Sequence, residues 1–100
     1  MNEVELKFKD KEIKRGGISF YSKSTALSFI EECKKMQLQI LGIDGFFFCE
    51  NATQPSMENS IDFTSKQFQG VVFPGGLFEE ARRFLESRDD SLFFEIVCDE

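Results

Sequence analysis

The chain contains no histidine. Its main candidates for acid/base and nucleophilic chemistry are therefore carboxylates and thiols. Four acids lie on or beside two segments that we predict to pair as strands: Asp44, Glu50, Glu58 and Asp62. Asp44 and Asp62 could form a carboxylate pair across adjacent strands, as acid/base hydrolysis requires. No activated serine pattern and no glycine-rich phosphate loop accompany them. We therefore expect a protein that is not an enzyme, in which these acids contact a partner.

The three cysteines, Cys33, Cys49 and Cys98, have no paired spacing. Because a zinc site made of cysteines alone would need a fourth thiolate, we expect no metal and no other cofactor. Cys33 and Cys98 fall on apolar positions of a predicted helix and a predicted strand. We interpret all three cysteines as buried thiols in a reducing cytosol.

The charge is distributed unevenly along the 100 residues, which carry a net charge of −6. Residues 1–37 hold eight Lys/Arg and six Asp/Glu, whereas residues 38–100 hold four and twelve. An acidic half repels nucleic acid and attracts a basic partner, although this charge also serves ordinary solubility. The sequence has neither a signal-peptide pattern nor an apolar run that could span a bilayer, so we expect a cytoplasmic protein.

The apolar stretch Leu38–Cys49 predicts a central strand around which the rest of the chain packs. Gly42 and Gly45 flank Asp44, the only charged residue in this stretch. They indicate either a bulge that directs the carboxylate toward an exposed end, or close packing of a helix with Asp44 beginning a turn.

The remaining strands are predicted on both sides of this stretch. Residues 4–8 alternate between apolar and charged, and Gly16-Gly17 separates two further extended pieces, so residues 1–21 predict a hairpin or a set of short strands. Residues 50–56 are polar and contain proline, which predicts a loop. Three more strands are predicted at Ile61–Phe63, antiparallel to the central strand, at Val71–Phe73 on an edge, and at Leu92–Cys98 in the sheet interior.

Two segments, 24–37 and 76–87, have apolar residues at the three-and-four spacing of a helix with one buried stripe. The element order predicts a single α+β domain, with an N-terminal hairpin or strands over 1–21 and an α/β core over 24–100. Its mostly antiparallel sheet of four to six strands would carry two helices on one face, in a split βαβ arrangement. The other face must be wet, covered by a partner, or shielded by the N-terminal hairpin.

Three segments resemble colicin-type immunity proteins: Ala26–Lys35, the hexapeptide Ile40–Gly45 and Ser60–Asp62, followed by a helix that leads into a C-terminal strand. The resemblance covers residues 24–100 and is nearest to members that neutralise a colicin cutting tRNA anticodons. It implies a small acidic inhibitor that occupies the basic groove of a toxin nuclease. The chain departs from these proteins in its additional N-terminal segment and in Phe46–Phe48, so its toxin could differ in fold and target.

We therefore predict a surface that binds a basic bacterial toxin domain, and neither nucleic acid nor membrane. Carboxylates would lie where phosphates bind, and aromatic anchors would exclude water around them. The predicted partner-binding residues are Asp44, Phe46, Phe47, Phe48, Glu50, Glu58 and Asp62. Two alternatives stay open: the acids are scattered surface charges and the rings are core, or the chain is an adaptor or oligomerising module, a homodimer included.

Overall fold

The computed structural model describes residues 2–99. Its elements are α1 Glu3–Lys7, β1 Ile13–Arg15, β2 Ile18–Ser22, α2 Lys23–Lys35, β3 Ile40–Cys49, β4 Ala52–Asp62, α3 Leu77–Glu86 and β5 Phe93–Cys98. Single 3-10 turns lie at Lys9–Lys11 and Lys66–Phe68. The five strands form one sheet in the order β1-β2-β5-β3-β4, and all neighbours are antiparallel.

The strands β2 and β3, joined by α2, form a split βαβ unit. β5 lies between them and is antiparallel to both, so β2 and β3 run in the same direction. The predicted α+β class, the antiparallel sheet and this topology are confirmed. The interior positions predicted for β3 and β5 are confirmed as well, and the β1–β2 hairpin turns at Gly16-Gly17.

All three helices pack on one face of the sheet. Ser22 caps α2 by accepting a hydrogen bond from the backbone N–H of Thr25. The core beneath the helices is formed by Val4, Phe8, Tyr21, Ala26, Phe29, Ile30, Cys33, Ile40, Ile43, Ala81, Leu85, Leu92, Phe94 and Ile96. The two helices predicted on this face are confirmed, and the short α1 is added to them. No helix within residues 2–99 is long and apolar enough to cross a membrane.

The strand predicted over residues 4–8 is wrong, because this segment forms α1. The Asn2 side chain caps the helix by accepting a hydrogen bond from the Glu5 backbone N–H at 2.8 Å. Val4 and Phe8 are buried, whereas Leu6 is 57% exposed. Apolar residues four positions apart lie on one face in both a strand and a helix. Leu6 distinguishes the two structures, because a strand would place it on the same face as Val4 and Phe8, whereas a helix places it on the opposite, exposed side.

The predicted loop over 50–56 is also wrong beyond its first two residues, since β4 begins at Ala52. Pro55 lies inside this strand, opposite Phe46. A proline is tolerated there because β4 is an edge strand, whose outward N–H groups need no partner strand.

The edge strand predicted over residues 71–73 is absent from the described structure, where this segment has no regular conformation. Phe73 instead joins Phe63 and Phe68 in a small aromatic cluster, with ring centroids 5.5 to 5.9 Å apart. Val71 and Val72 remain exposed. Packing of one ring has therefore overridden the strand propensity of the valines.

Candidate partner-binding surface

The face of the sheet that the helices leave uncovered carries most of the predicted binding residues. Ile43 and Phe94 belong to the core beneath the helices. Because successive residues of a strand point to opposite faces, their neighbours point away from that core. We call this surface the open face; it is formed by Phe20, Asp44, Phe46, Phe48, Asp62, Phe93 and Glu95.

A bulge between β3 and β4 sets the position of Asp44. The register shifts between Ile43 and Gly45, and residues 57–60 of β4 loop out. A Cβ atom at Gly45 would lie 2.3 Å from the Asn59 carbonyl oxygen, so only glycine fits there. The atoms that approach Gly45 this closely belong to β4 and not to a helix. The predicted bulge is confirmed, but Asp44 lies in the middle of β3 and is partly buried, so the predicted exposed end is wrong. The alternatives of helix packing and of a turn at Asp44 are wrong as well.

The side chain of Ser60 closes this bulge. Its hydroxyl accepts a hydrogen bond from the Gly45 backbone N–H at 3.1 Å and donates one to the Ser56 carbonyl at 2.7 Å. Ser60 thereby supplies hydrogen-bond partners for two backbone groups at the bulge, the Gly45 N–H and the Ser56 carbonyl.

Asp44 lies directly opposite Glu95 on β5. Burial, with a smaller contribution from the Asp62 charge, raises the pKa of Asp44. Burial, with a smaller contribution from Asp44, raises the pKa of Glu95. Within residues 2–99, no lysine or arginine lies at ion-pair distance from either carboxylate. The pair is therefore partly desolvated and uncompensated by charge.

Asp62 is the third carboxylate of the open face, and it is held as an anion. The Thr64 hydroxyl and backbone N–H donate to its Oδ1 at 2.6 and 2.9 Å, and these bonds lower its pKa. Asp62 and Asp44 both line a cavity of about 290 Å³, whose apolar walls include Leu41 and Val97.

The acidic end of the open face could do two kinds of chemistry. Adjacent carboxyls with pKa values shifted in opposite directions, such as Asp44 and Asp62, resemble a general acid and its partner base. The same arrangement could bind a cationic side chain, because a positive charge would favour the ionised form of Asp44, whose pKa is raised by burial and, to a smaller extent, by the Asp62 charge. No group of three or more metal-binding side chains within residues 2–99 is arranged to hold a metal ion.

The other end of the open face is a cluster of phenylalanine rings. Phe20 contacts Phe46 and Phe48 edge-on, with centroids 4.9 and 5.3 Å apart. Phe48 and Phe93 stack in parallel at 4.0 Å. Phe20 is fully buried, although it lies outside the core beneath the helices. The sheet therefore has a second, smaller apolar core on its uncovered side.

Arg15 of the N-terminal hairpin partly covers this aromatic cluster. Its guanidinium carbon lies 3.9 Å from the centroid of Phe48, and its Nη1 donates to the Ala52 carbonyl at 3.3 Å. Phe93 stacks on the same ring at a similar distance. The Arg15 guanidinium and the Phe93 ring therefore lie on opposite faces of the Phe48 ring. Beside them is a cavity of about 690 Å³, whose lining includes Arg15, Phe20, Phe46 and Glu50. The hairpin thus shields only part of the open face.

The structure brings five of the seven predicted binding residues to this side of the molecule. These are Asp44, Phe46, Phe48 and Asp62 on the open face and Glu50 at the cavity rim. Phe47 points to the opposite side from its two neighbours and is 42% exposed. Glu58 lies in the β4 bulge, where its carbonyl accepts a hydrogen bond from Arg88 at 3.0 Å. Phe47 and Glu58 are therefore not part of the same surface.

The sequence prediction did not include four residues that the structure adds to this surface: Arg15, Phe20, Phe93 and Glu95. Glu95 could have been identified from the sequence, because it is the only charged residue between Leu92 and Cys98, as Asp44 is in its own strand. The prediction for Leu92–Cys98 concerns only its place in the sheet interior and assigns no side chain of this segment to a surface. No sequence pattern identifies Arg15, because its contact with the Phe48 ring depends on how the hairpin packs over the sheet.

Neither the family models, nor the curated proteins, nor the solved structures with which the chain was compared match it. Its function is therefore inferred from these residues and their geometry.

Proposed function

We propose that the chain is an immunity-type inhibitor that acts in the cytoplasm and binds a basic bacterial toxin domain, a nuclease, through the open face. Nuclease active sites are lined with cations that bind phosphate, so an inhibitor needs carboxylates and apolar anchors on one surface. The acidic and aromatic ends of the open face supply both. The sequence resemblance to immunity proteins, over residues 24–100, supports the same class.

The observation that carries this proposal is the uncompensated pair Asp44–Glu95. Like charges directly opposite each other on neighbouring strands destabilise a sheet, and here both groups are partly desolvated as well. Binding sites are where proteins tolerate such unfavourable local arrangements. A lysine or arginine of a partner would convert the repulsion into two charge-assisted hydrogen bonds.

The aromatic end would supply the anchoring contacts. Interface residues that dominate binding energy are typically apolar or aromatic groups at the centre of the interface, surrounded by groups that exclude water. Phe46 lines the 690 Å³ cavity, and Glu50 lies at its rim. A side chain of the partner that enters this cavity would therefore contact an aromatic floor beside a carboxylate.

Co-expression tests the proposal. A gene for an immunity protein should lie directly downstream of a large toxin gene, and co-expression with that toxin should restore growth. With purified proteins, toxin activity should fall linearly and reach zero at one inhibitor per toxin domain. The inhibitor alone should show no turnover.

Two results would contradict direct inhibition. The first is growth rescue by a pair of proteins that do not bind each other at micromolar concentration. The second is inhibition that requires far less than one inhibitor per toxin, which would indicate catalysis. A charge-reduced open-face variant, Asp44→Asn/Glu95→Gln, should lose rescue while remaining folded.

A further inference from the structure

Two thiols meet where the C-terminal part of α2 packs against the end of β5. The Sγ atoms of Cys33 and Cys98 are 3.9 Å apart, although the residues are 65 positions apart in sequence. Cys33 continues the buried stripe of α2, and Cys98 has the same strand parity as the core residues Phe94 and Ile96. Both side chains therefore point into the layer between the helices and the sheet.

The backbone holds both cysteines in place. The Cys33 carbonyl accepts a hydrogen bond from the Leu38 backbone N–H at 2.8 Å. Cys98 pairs with Ile40 at the start of β3, and the next residue, Asp99, donates to the Gln39 carbonyl at 2.9 Å. The short segment between α2 and β3 is thus hydrogen-bonded to the backbone of Cys33 and to that of Asp99, the neighbour of Cys98.

The two thiols differ in accessibility. Cys33 is fully buried, whereas Cys98 is only partly buried. A small reagent can therefore reach Cys98 first. The hydrogen bond from Cys98 that lowers the pKa of Cys33 exists only while Cys98 carries its proton, so it is the 3.9 Å separation of the two Sγ atoms that places Cys33 to attack the mixed disulfide.

We infer that Cys33 and Cys98 are a modification site that forms a reversible intramolecular disulfide in the presence of a low-molecular-weight disulfide. The Cys98 thiolate attacks one sulfur of the small disulfide, whose S–S bond breaks and releases one thiolate. The Cys33 thiolate then attacks Cys98 Sγ and displaces the second thiolate. The two cysteines are oxidised by two electrons, and the small disulfide is reduced to two thiols.

This disulfide would tie α2 to the last residue of β5. A link between positions 65 apart removes much conformational freedom from the unfolded chain, so the oxidised protein should melt at a higher temperature by roughly 10 °C. Cys49 offers a matched control. Contrary to the sequence prediction, it is exposed, and it lies at the far end of β3, about 30 Å from the start of that strand, where Cys98 pairs.

The experiment treats the folded full-length protein with oxidised glutathione, blocks the remaining thiols by alkylation, and maps the peptides by mass spectrometry. We expect a Cys33–Cys98 link, with Cys49 alkylated or joined to glutathione. Cys49→Ser should keep both the link and the rise in melting temperature, and Cys98→Ala should lose both. Cys98→Ala is preferred to changes at the fully buried Cys33, because it disturbs the core less.

Three results would overturn the inference. One is glutathione retained on Cys98 with no internal link. Another is a Cys33–Cys98 link that forms only after denaturation. The third is an oxidation-dependent melting shift that persists in Cys98→Ala.

Discussion

Asp44 and Glu95 face each other across β3 and β5, and within residues 2–99 neither carboxylate has an ion-pair partner. Some other acids of the described structure do have a base at ion-pair distance, such as Glu32 with Lys7 at 2.7 Å. Two like charges opposite each other on neighbouring strands should cost the free protein stability. The first two predictions follow from this pair.

Removing either charge should stabilise the free protein. Asp44→Asn or Glu95→Gln keeps the side-chain shape and abolishes the repulsion between the two strands. The free energy of unfolding should rise by roughly 0.2 to 1 kcal/mol, a small gain because solvent screens these partly exposed groups. Urea unfolding at pH 7 measures it. Asp62→Ala is the contrasting variant, since it removes the hydrogen bonds from Thr64 and should destabilise. Loss of stability in Asp44→Asn would mean that the pair is not repulsive.

The gain should also depend on pH. The folded protein holds protons on Asp44 and Glu95 above their ordinary pKa values of 3.8 and 4.5, where the unfolded chain has released them. Their contribution to stability is therefore present at low pH and is lost as the pH rises through the raised pKa values. The difference between Asp44→Asn/Glu95→Gln and the natural sequence should be largest at pH 7 and vanish below about pH 4. A difference independent of pH would rule out titration of these groups as its cause.

The bulge predicts a cost at Gly45. In Gly45→Ala the new methyl group would meet the Asn59 carbonyl, and relief requires β4 to shift. We expect a loss of roughly 1 to 3 kcal/mol in the free energy of unfolding. Ser60→Ala removes the bulge hydrogen bonds without a clash and should cost about 1 kcal/mol. A Gly45→Ala protein as stable as the natural one would show that the strands are not in this register.

Arg15 should stabilise the hairpin against the aromatic cluster. Arg15→Ala removes the contact with Phe48 and the bond to the Ala52 carbonyl, and should cost roughly 0.5 to 1 kcal/mol. Lys14→Ala, one residue earlier in β1, is the control, because its ion pair with Glu12 is long, at 3.9 Å, and the Lys14 side chain is half exposed. Equal effects of the two changes on the urea midpoint would argue against packing of the hairpin over the open face.

The fold could be predicted from sequence wherever local periodicity and burial agree. The stripe of α2 and the apolar run of β3 predict their elements to within two residues at each end, and the glycines around Asp44 indicate the bulge. The failures lie where one pattern fits two structures. Val4 and Phe8 have a spacing common to a strand and a helix, and Pro55 reads as a loop residue unless its strand is known to be at an edge.

The candidate surface could be predicted only in part, for a related reason. Asp44 and the neighbouring phenylalanines lie on one strand, so a single segment of sequence reveals them. Glu95 and Phe20 join them only through the strand order, which places β5 between β2 and β3. No single segment of the sequence predicts such long-range pairing of strands.

The most direct measurement is a calorimetric titration of the toxin domain with two charge-matched double variants, at low and moderate salt. Asp44→Asn/Glu95→Gln and Glu31→Gln/Glu58→Gln each remove two negative charges, but only the first pair lies on the open face. We predict that the first variant loses roughly 1 to 3 kcal/mol of binding free energy per substitution, with a smaller salt dependence, and that the second binds almost as the natural protein does. Equal affinities for the two variants would contradict binding through the open face.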